Sequence, residues 1–154
     1  MNRTTDLLMS IRRTVKLYES MLKTVCERYQ LSAIETDIIS FLYNNPTKDT
    51  AGDIVELRML SKGNVSQAVE SLIQKGFIRR VHDTKDRRRI HLFLLPEASP
   101  VTQSIEQVRS RFQEKVFYGF SEQERELYAA LTNRIMQNVS PTQAQAKDSS
   151  PQKQ

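Results

Sequence analysis

The apolar residues of this chain change their period, and that change limits the folds open to it. Leu8, Ile11, Val15, Tyr18, Leu22, Val25 and Tyr29 return every three or four residues, the spacing of a single helix face. Residues 5–29 are therefore expected to form one long amphipathic helix. Ile34, Ile38, Phe41 and Leu42 keep the same period, as do Val65, Val69, Leu72 and Ile73. At the stretch IHLFL the period becomes two: Ile90, Leu92 and Leu94 alternate with Arg89, His91 and Phe93, as in a strand with two faces. Phe77 to Val81 fits as its hairpin partner. After Pro96 and Pro100 the helical period returns through Val101, Ile105, Val108, Phe112 and Val116. Gly119 interrupts it, and Leu127, Leu131 and Ile135 carry it to about Val139.

Local signals mark where these elements begin and end. Ser32 with Glu35, Thr50 with Asp53, and Ser121 with Glu124 have capping-box spacing, in which hydroxyl and carboxylate each satisfy a free backbone N–H. Ser61 can cap a further helix that Gly76 closes, since glycine accepts the left-handed conformation at a helix end. Asn44, Asn45 and Pro46 end the element before. The order is long helix, helix, short helix, helix, hairpin, long helix, helix. Two short helices joined by a tight turn and followed by a hairpin make a winged helix-turn-helix, whose second helix enters the DNA major groove. The expected fold class is mainly α with a small β-hairpin wing, a winged helix-turn-helix flanked by N- and C-terminal dimerisation helices. Residues 1–139 are expected to form one domain, with a core at about 32–96 and dimerisation helices at about 5–29 and 99–139. Residues 140–154 carry no large apolar side chain and are expected to be a disordered polar tail.

Charge supports a polyanionic partner. The formal net charge is +5, and residues 79–89 hold six Lys or Arg against two Asp, so +4 of it lies in this short stretch. Focused charge of this kind suits nucleic acid, although a charge run is also commonly a solvated loop. At 154 residues with one cysteine, Cys26, the chain has room for a real core but for no intrachain disulfide or thiolate cluster. Nothing in it approaches a membrane span or a signal peptide, so a cytoplasmic protein without membrane partners is expected. No Ser/His/acid order and no phosphate-binding glycine loop is present. An enzyme is not expected, and neither is a cofactor or a bound metal.

On the fourth helix, the stripe Val65–Val69–Leu72 leaves Gly63, Asn64, Gln67, Glu70 and Gln74 facing away. Asn and Gln match the donor–acceptor edge of adenine. Lys62 and Ser66 flank that face and suit phosphates, Gly63 would let backbone approach backbone closely, and Ser61 at the helix start is counted with the DNA-binding residues. The same face could equally be ordinary solvated helix surface.

The stretch LSKGNVSQAVESLIQKGFIRRVHDTKDRRRIHLFL resembles the recognition helix and wing of the multiple-antibiotic-resistance regulator (MarR) family. The most specific element is Asp86-Arg87-Arg88, after a helix ending in Gly76 and the strand residues Ile78 and Arg80. The family usually continues Leu-Thr-x-x-Gly after the second wing strand, whereas here Leu94 is followed by Leu95, Pro96, Glu97 and Ala98. The resemblance covers roughly residues 5–139. It implies a homodimeric transcription regulator, usually a repressor, on a palindromic inverted-repeat operator in double-stranded DNA, released by a small effector. It also implies that Asp86 orients the wing and Arg88 reaches the minor groove. With that assignment Asp86 is expected to pair with a nearby arginine, while Lys85, Arg87 and Arg89 meet phosphates.

Other readings stand beside this one. His82 and His91, placed across the hairpin with Asp83 nearby, could make a metal sensor. Cys26 could make a redox switch, or simply be a small residue in helix packing. A winged-helix protein-interaction module would need neither the amide face nor the arginines. An effector site for a small aromatic ligand, between the dimer helices and the winged domain, would draw on Tyr18, Met21, Tyr29 and Phe41, which equally suit plain core.

Overall fold

The computed structural model describes residues 2–140, so the expected polar tail lies, beyond Ser140, outside the described residues. The elements are α1 (Arg3–Tyr29), α2 (Ala33–Asn44), α3 (Ala51–Arg58), α4 (Lys62–Gln74), β1 (Ile78–His82), β2 (Ile90–Leu94), α5 (Ser99–Val116) and α6 (Glu122–Val139). This is the mainly helical architecture with one antiparallel hairpin that the two periods dictate.

All three capping boxes close, at Ser32 with Glu35, Thr50 with Asp53, and Ser121 with Glu124. Ser61 caps α4 by accepting the Asn64 N–H at 3.2 Å. Gly76, at φ 80°, turns the chain out of α4 as its position suggests. The turn between α3 and α4 has no such signal: Met59 adopts the left-handed conformation at φ 53° without being glycine. Pro96 opens a single 3-10 turn, Pro96–Ala98, and α5 starts directly after it at Ser99. Pro100 thus sits inside the first turn of α5, where its missing N–H costs no intrahelical bond.

The chain forms two compact units, one up to Gln113 and one from Glu114. The core of the first unit gathers Ile38, Ile39 and Phe41 of α2, Ile54 of α3, Val65 and Leu72 of α4, Ile78 and Leu92 of the hairpin, and Val101, Ile105 and Val108 of α5. Val25, in the C-terminal half of α1, joins them. The N-terminal half of α1 behaves differently, leaving Leu8, Ile11 and Val15 exposed. The hairpin pairs Ile78 with Leu94, Arg80 with Leu92 and His82 with Ile90. The Leu92 N–H ties it to the α2–α3 connection, at the Asp49 carbonyl 2.8 Å away.

In the second unit, Phe117 meets Phe120 and Tyr128 edge-on, with centroids 5.6 and 5.2 Å away. Arg125 lies over the Phe117 ring and donates to the Phe117 carbonyl. α6 buries none of its residues.

Ile54 is the one residue that the short helix α3 buries. Ile54→Ala is expected to destabilise the chain by about 2–5 kcal/mol in urea unfolding. A loss below about 1 kcal/mol would mean that α3 is held by its caps and turns instead.

Candidate nucleic-acid interface

The helix-turn-helix places the polar face of α4 outward. Val65, Ala68, Val69 and Leu72 are buried, whereas Lys62, Gly63, Asn64, Ser66, Gln67 and Glu70 are exposed. The fourfold spacing of the apolar residues does this sorting, because residues between them must point away. Gly63 has nothing within 4 Å of where a Cβ would stand, so no neighbour within the chain requires a glycine there. The Ser61 hydroxyl is engaged as the helix cap. Glu70 pairs with Arg80 of β1, which joins the exposed side of α4 to the wing.

The wing tip, between β1 and β2, is organised by carboxylates that bind backbone. Asp83 Oδ2 accepts the N–H groups of Lys85 at 3.1 Å and Asp86 at 2.8 Å. Asp86 Oδ1 accepts the Arg88 N–H at 3.0 Å, and its carbonyl accepts the Arg89 N–H at 3.0 Å. The Asp83 N–H closes the loop on the Arg89 carbonyl at 2.9 Å. The expectation that Asp86 pairs with an arginine side chain is therefore corrected. A short carboxylate in a tight turn is closer to the N–H groups ahead of it than to any guanidinium. Among the described residues, none of Lys85, Arg87, Arg88 and Arg89 forms an ion pair, and all four are exposed.

Beneath the tip lies His91. Its Nδ1 stands 2.6 Å from Asp49 Oδ1 and its Nε2 2.9 Å from Asp83 Oδ1. The hydrogen bond to Asp49 is the main cause that raises the His91 pKa, with Asp83 second. The Asp83 carboxyl is held at about 2, first by the His91 bond and then by the Asp86 and Lys85 N–H groups. His91 pairs with Val81 and His82 with Ile90 across the strands. Neighbouring residues on a strand face opposite sides, so the two histidines do not converge as a metal pair would.

Away from this surface, the first unit contains a cleft of about 310 Å³ between α1, α2 and α5. Tyr18 lines it, with Asp37, Ser40, Arg58, Arg109 and Phe112. Tyr18 and Phe112 meet edge-on at 5.1 Å. Burial raises the Asp37 pKa, against the opposing pull of Arg58 at 3.7 Å. Burial also raises that of Tyr18, although Arg109 works against it. Of the four residues expected here, only Tyr18 lines the cleft. Phe41 is 2% exposed in the core, and Met21 and Tyr29 pack against that core. The Tyr29 hydroxyl lies 3.2 Å from Ser104 Oγ. Cys26 is half-buried, with its sulfur 3.3 Å from Thr36 Oγ1, which suits the packing reading.

The residues that sequence reasoning missed are Asp49, Asp83 and His91 as a connected set, and Arg58 and Arg109 in the cleft. In the sequence, Asp83 and His91 suggest only a metal-site pattern. Arg58 and Arg109 come from different helices, and no local spacing marks them.

Comparison with known proteins agrees with the geometry. The MarR family profile matches residues 29–89. The HTH-type transcriptional regulator PecS of Dickeya dadantii (strain 3937) is 25% identical over 132 residues, covering 84% of this chain and 80% of that protein. A MarR-family transcriptional regulator from Listeria monocytogenes, solved with a 26mer DNA, superposes with a TM-score of 0.76 at 13% identity over 100% of this chain and 99% of that one. Bordetella bronchiseptica BpsR, whose DNA binding is regulated by 6-hydroxynicotinic acid, superposes with a TM-score of 0.67 at 17% identity over 84% of this chain and 98% of that one. No helix among the described residues is long and apolar enough to cross a membrane.

Proposed function

We propose that the chain, whose residues 29–89 match the MarR family profile, is a transcriptional regulator of that kind: a cytoplasmic homodimeric repressor that binds an inverted-repeat operator and is released by a small aromatic acid. The observation that carries the DNA side is the wing tip: its acids hold backbone, while its four cations are exposed and form no ion pair among the described residues, on a chain whose α4 also exposes its amide face. Asn64 and Gln67 would read base edges in the major groove, with Ser61, Lys62, Gly63, Ser66 and Glu70 beside them on the same docking face. Arg88 would enter the neighbouring minor groove, where a narrow A·T-rich groove attracts arginine. Lys85, Arg87 and Arg89 would meet phosphates.

The dimer reading is supported by unpartnered apolar surface on both units. Leu8 is 59% exposed and Ile11 49% on α1, and Leu127 is 59% exposed and Leu131 45% on α6. A helix that buries no residue gains little from its own propensity, so a second copy of the chain is the partner that would cover it. Two recognition helices would then lie roughly 34–36 Å apart, one turn of DNA.

The effector reading is supported by the cleft of about 310 Å³. An incoming carboxylate would compete with Asp37 for Arg58, at 3.7 Å, and with Glu106 for Arg109, at 3.1 Å, and Tyr18 and Phe112 suit an aromatic ring. This replaces Met21, Tyr29 and Phe41 as lining residues.

Gel shifts against duplexes selected by the chain from a random pool test the DNA reading. Arg87→Ala or Arg89→Ala should weaken binding to all sequences and lower the salt slope by about one counterion each. Asn64→Ala or Gln67→Ala should cost about 1–3 kcal/mol at particular base positions. Asp86→Ala removes a negative charge yet should weaken binding, because the Arg88 N–H loses its acceptor. Uniform losses from the amide changes, or tighter binding by Asp86→Ala, would count against these assignments. In sedimentation at micromolar concentration the chain should be a dimer, and Leu127→Lys with Leu131→Lys should give a folded monomer. In calorimetry, benzoate should bind the wild-type chain, and Arg109→Gln should weaken it about tenfold, the weight of one charge-assisted hydrogen bond. Equal binding by both would place the acid elsewhere.

A further inference from the structure

His91 sits between two carboxylates that belong to different parts of the interface. Asp49 comes from the connection just before Thr50, the cap of α3. Asp83 comes from the wing, where its other oxygen holds the Lys85 and Asp86 N–H groups. An ionised carboxylate offers acceptors only, and a neutral imidazole offers one N–H. Both contacts, at 2.6 and 2.9 Å, are therefore satisfied together only when both ring nitrogens carry hydrogen. A neutral ring would turn a lone pair toward one of the two carboxylates at hydrogen-bonding distance.

Resting on the DNA-binding reading above, we propose that His91 is a positioning residue of the DNA interface: a doubly bonded imidazolium that fixes the arginine-bearing wing tip, through Asp83, to the helix-turn-helix, through Asp49. The tip has few other ties. The hairpin has only two strands, and its backbone link to Asp49 is made by Leu92, on the buried side of β2. His91 adds a side-chain link on the other face, and among the described residues no other side-chain hydrogen bond or ion pair joins the helix-turn-helix to the loop. The side chains are partly enclosed, with 21% of His91, 17% of Asp49 and 28% of Asp83 exposed.

The charged groups acting on the ring are Asp49 from the α2–α3 connection and Asp83 from the wing. Val81 faces it from β1, and Phe93 is its aromatic neighbour at 6.4 Å; neither is charged. Lys48 and Arg89 act on Asp53 of α3 instead. His82 lies on the opposite face. Because the His91 pKa is raised on folding, the clamp is complete below the ordinary value of 6.5 and is lost as pH rises through the folded value. DNA affinity should follow the same direction.

The test is fluorescence anisotropy with a labelled duplex that the wild-type chain selects from a random pool at about pH 6, where an unperturbed histidine is already largely charged. Wild-type affinity should fall about tenfold between about pH 6 and pH 9, the weight of one charge-assisted hydrogen bond. H91Q and D83N should bind at the lower pH about as weakly as wild type does at the higher, with nearly flat profiles. H82Q should keep the wild-type profile. Nitrogen NMR of the imidazoles, which needs no variant to fold, should show His91 in wild type titrating above 6.5 with both nitrogens protonated below that point. A flat wild-type profile while the duplex still binds, an H91Q profile parallel to wild type, or a His91 that titrates at or below its ordinary value overturns the proposal and leaves the DNA reading standing. A wild-type chain that selects no duplex at any pH overturns both.

Discussion

The helix-turn-helix depends on one buried carboxylate. Glu35 is 6% exposed, and a charge so placed is costly unless its oxygens are engaged. Oε1 accepts the Ser32 N–H at 3.2 Å, completing the cap of α2. Oε2 accepts the Ser71 hydroxyl at 3.2 Å and the Lys75 ammonium at 2.9 Å, both from the α4 region. Lys75 also donates to the Gln30 carbonyl at 2.8 Å, at the end of α1. Burial alone would push the Glu35 pKa up, but the bonds from Lys75 and Ser32 outweigh it and hold it below its usual value. One anion thus fixes the start of α2 to the α4 region, and its partner Lys75 carries the link on to the end of α1. The apolar contacts of Ile38 and Leu72 supply most of the adhesion, yet they are not directional, and the carboxylate is.

Glu35 also shows where sequence reading reaches and where it stops. Its role in the cap is legible, because a capping box is a matter of three residues' spacing. Its bonds to Ser71 and Lys75 span more than thirty residues and leave no local mark. The same division runs through the molecule. Helix faces, the hairpin and the outward placement of Asn64 and Gln67 follow from period alone. The His91 set does not, since Asp49 is separated from it by 42 positions. Asp83 is nearer, but its carboxylate binds backbone in a way that composition does not distinguish from simple charge balance. In the cleft, Tyr18 was recognisable as an aromatic on α1. Arg58 and Arg109 were not, because their convergence depends on how helices distant in sequence pack. Met59 carries no sequence signal, because only its tertiary surroundings hold a methionine in a left-handed turn.

The basic stretch proves to be divided in its duties. Arg80 is paired with Glu70, and Arg79 lies 5.4 Å from the centre of the Phe93 ring. Both arginines serve the hairpin's own structure, which leaves the four cations of the tip for an outside partner. The two aspartates beside them do not neutralise guanidinium groups, since their oxygens hold N–H groups and His91. Their effect is to stiffen a loop that would otherwise lose conformational entropy on binding. In the proposed complex, the arginines meet DNA from a backbone that is already ordered.

The hairpin's pairing has a consequence for the chain outside its complexes. β2 has β1 on one side and Asp49 on the other, but β1 has a strand on one side only. A bare strand edge is a template on which other chains can pair, and many proteins aggregate through one. Here that edge is five residues long and carries Arg79 and Arg80, both exposed, at its centre. An incoming strand would have to break the Glu70 pair and strip water from two adjacent guanidinium groups. The short length and the two arginines guard β1 against intermolecular sheet growth, so the residues that brace the wing also shield its open edge.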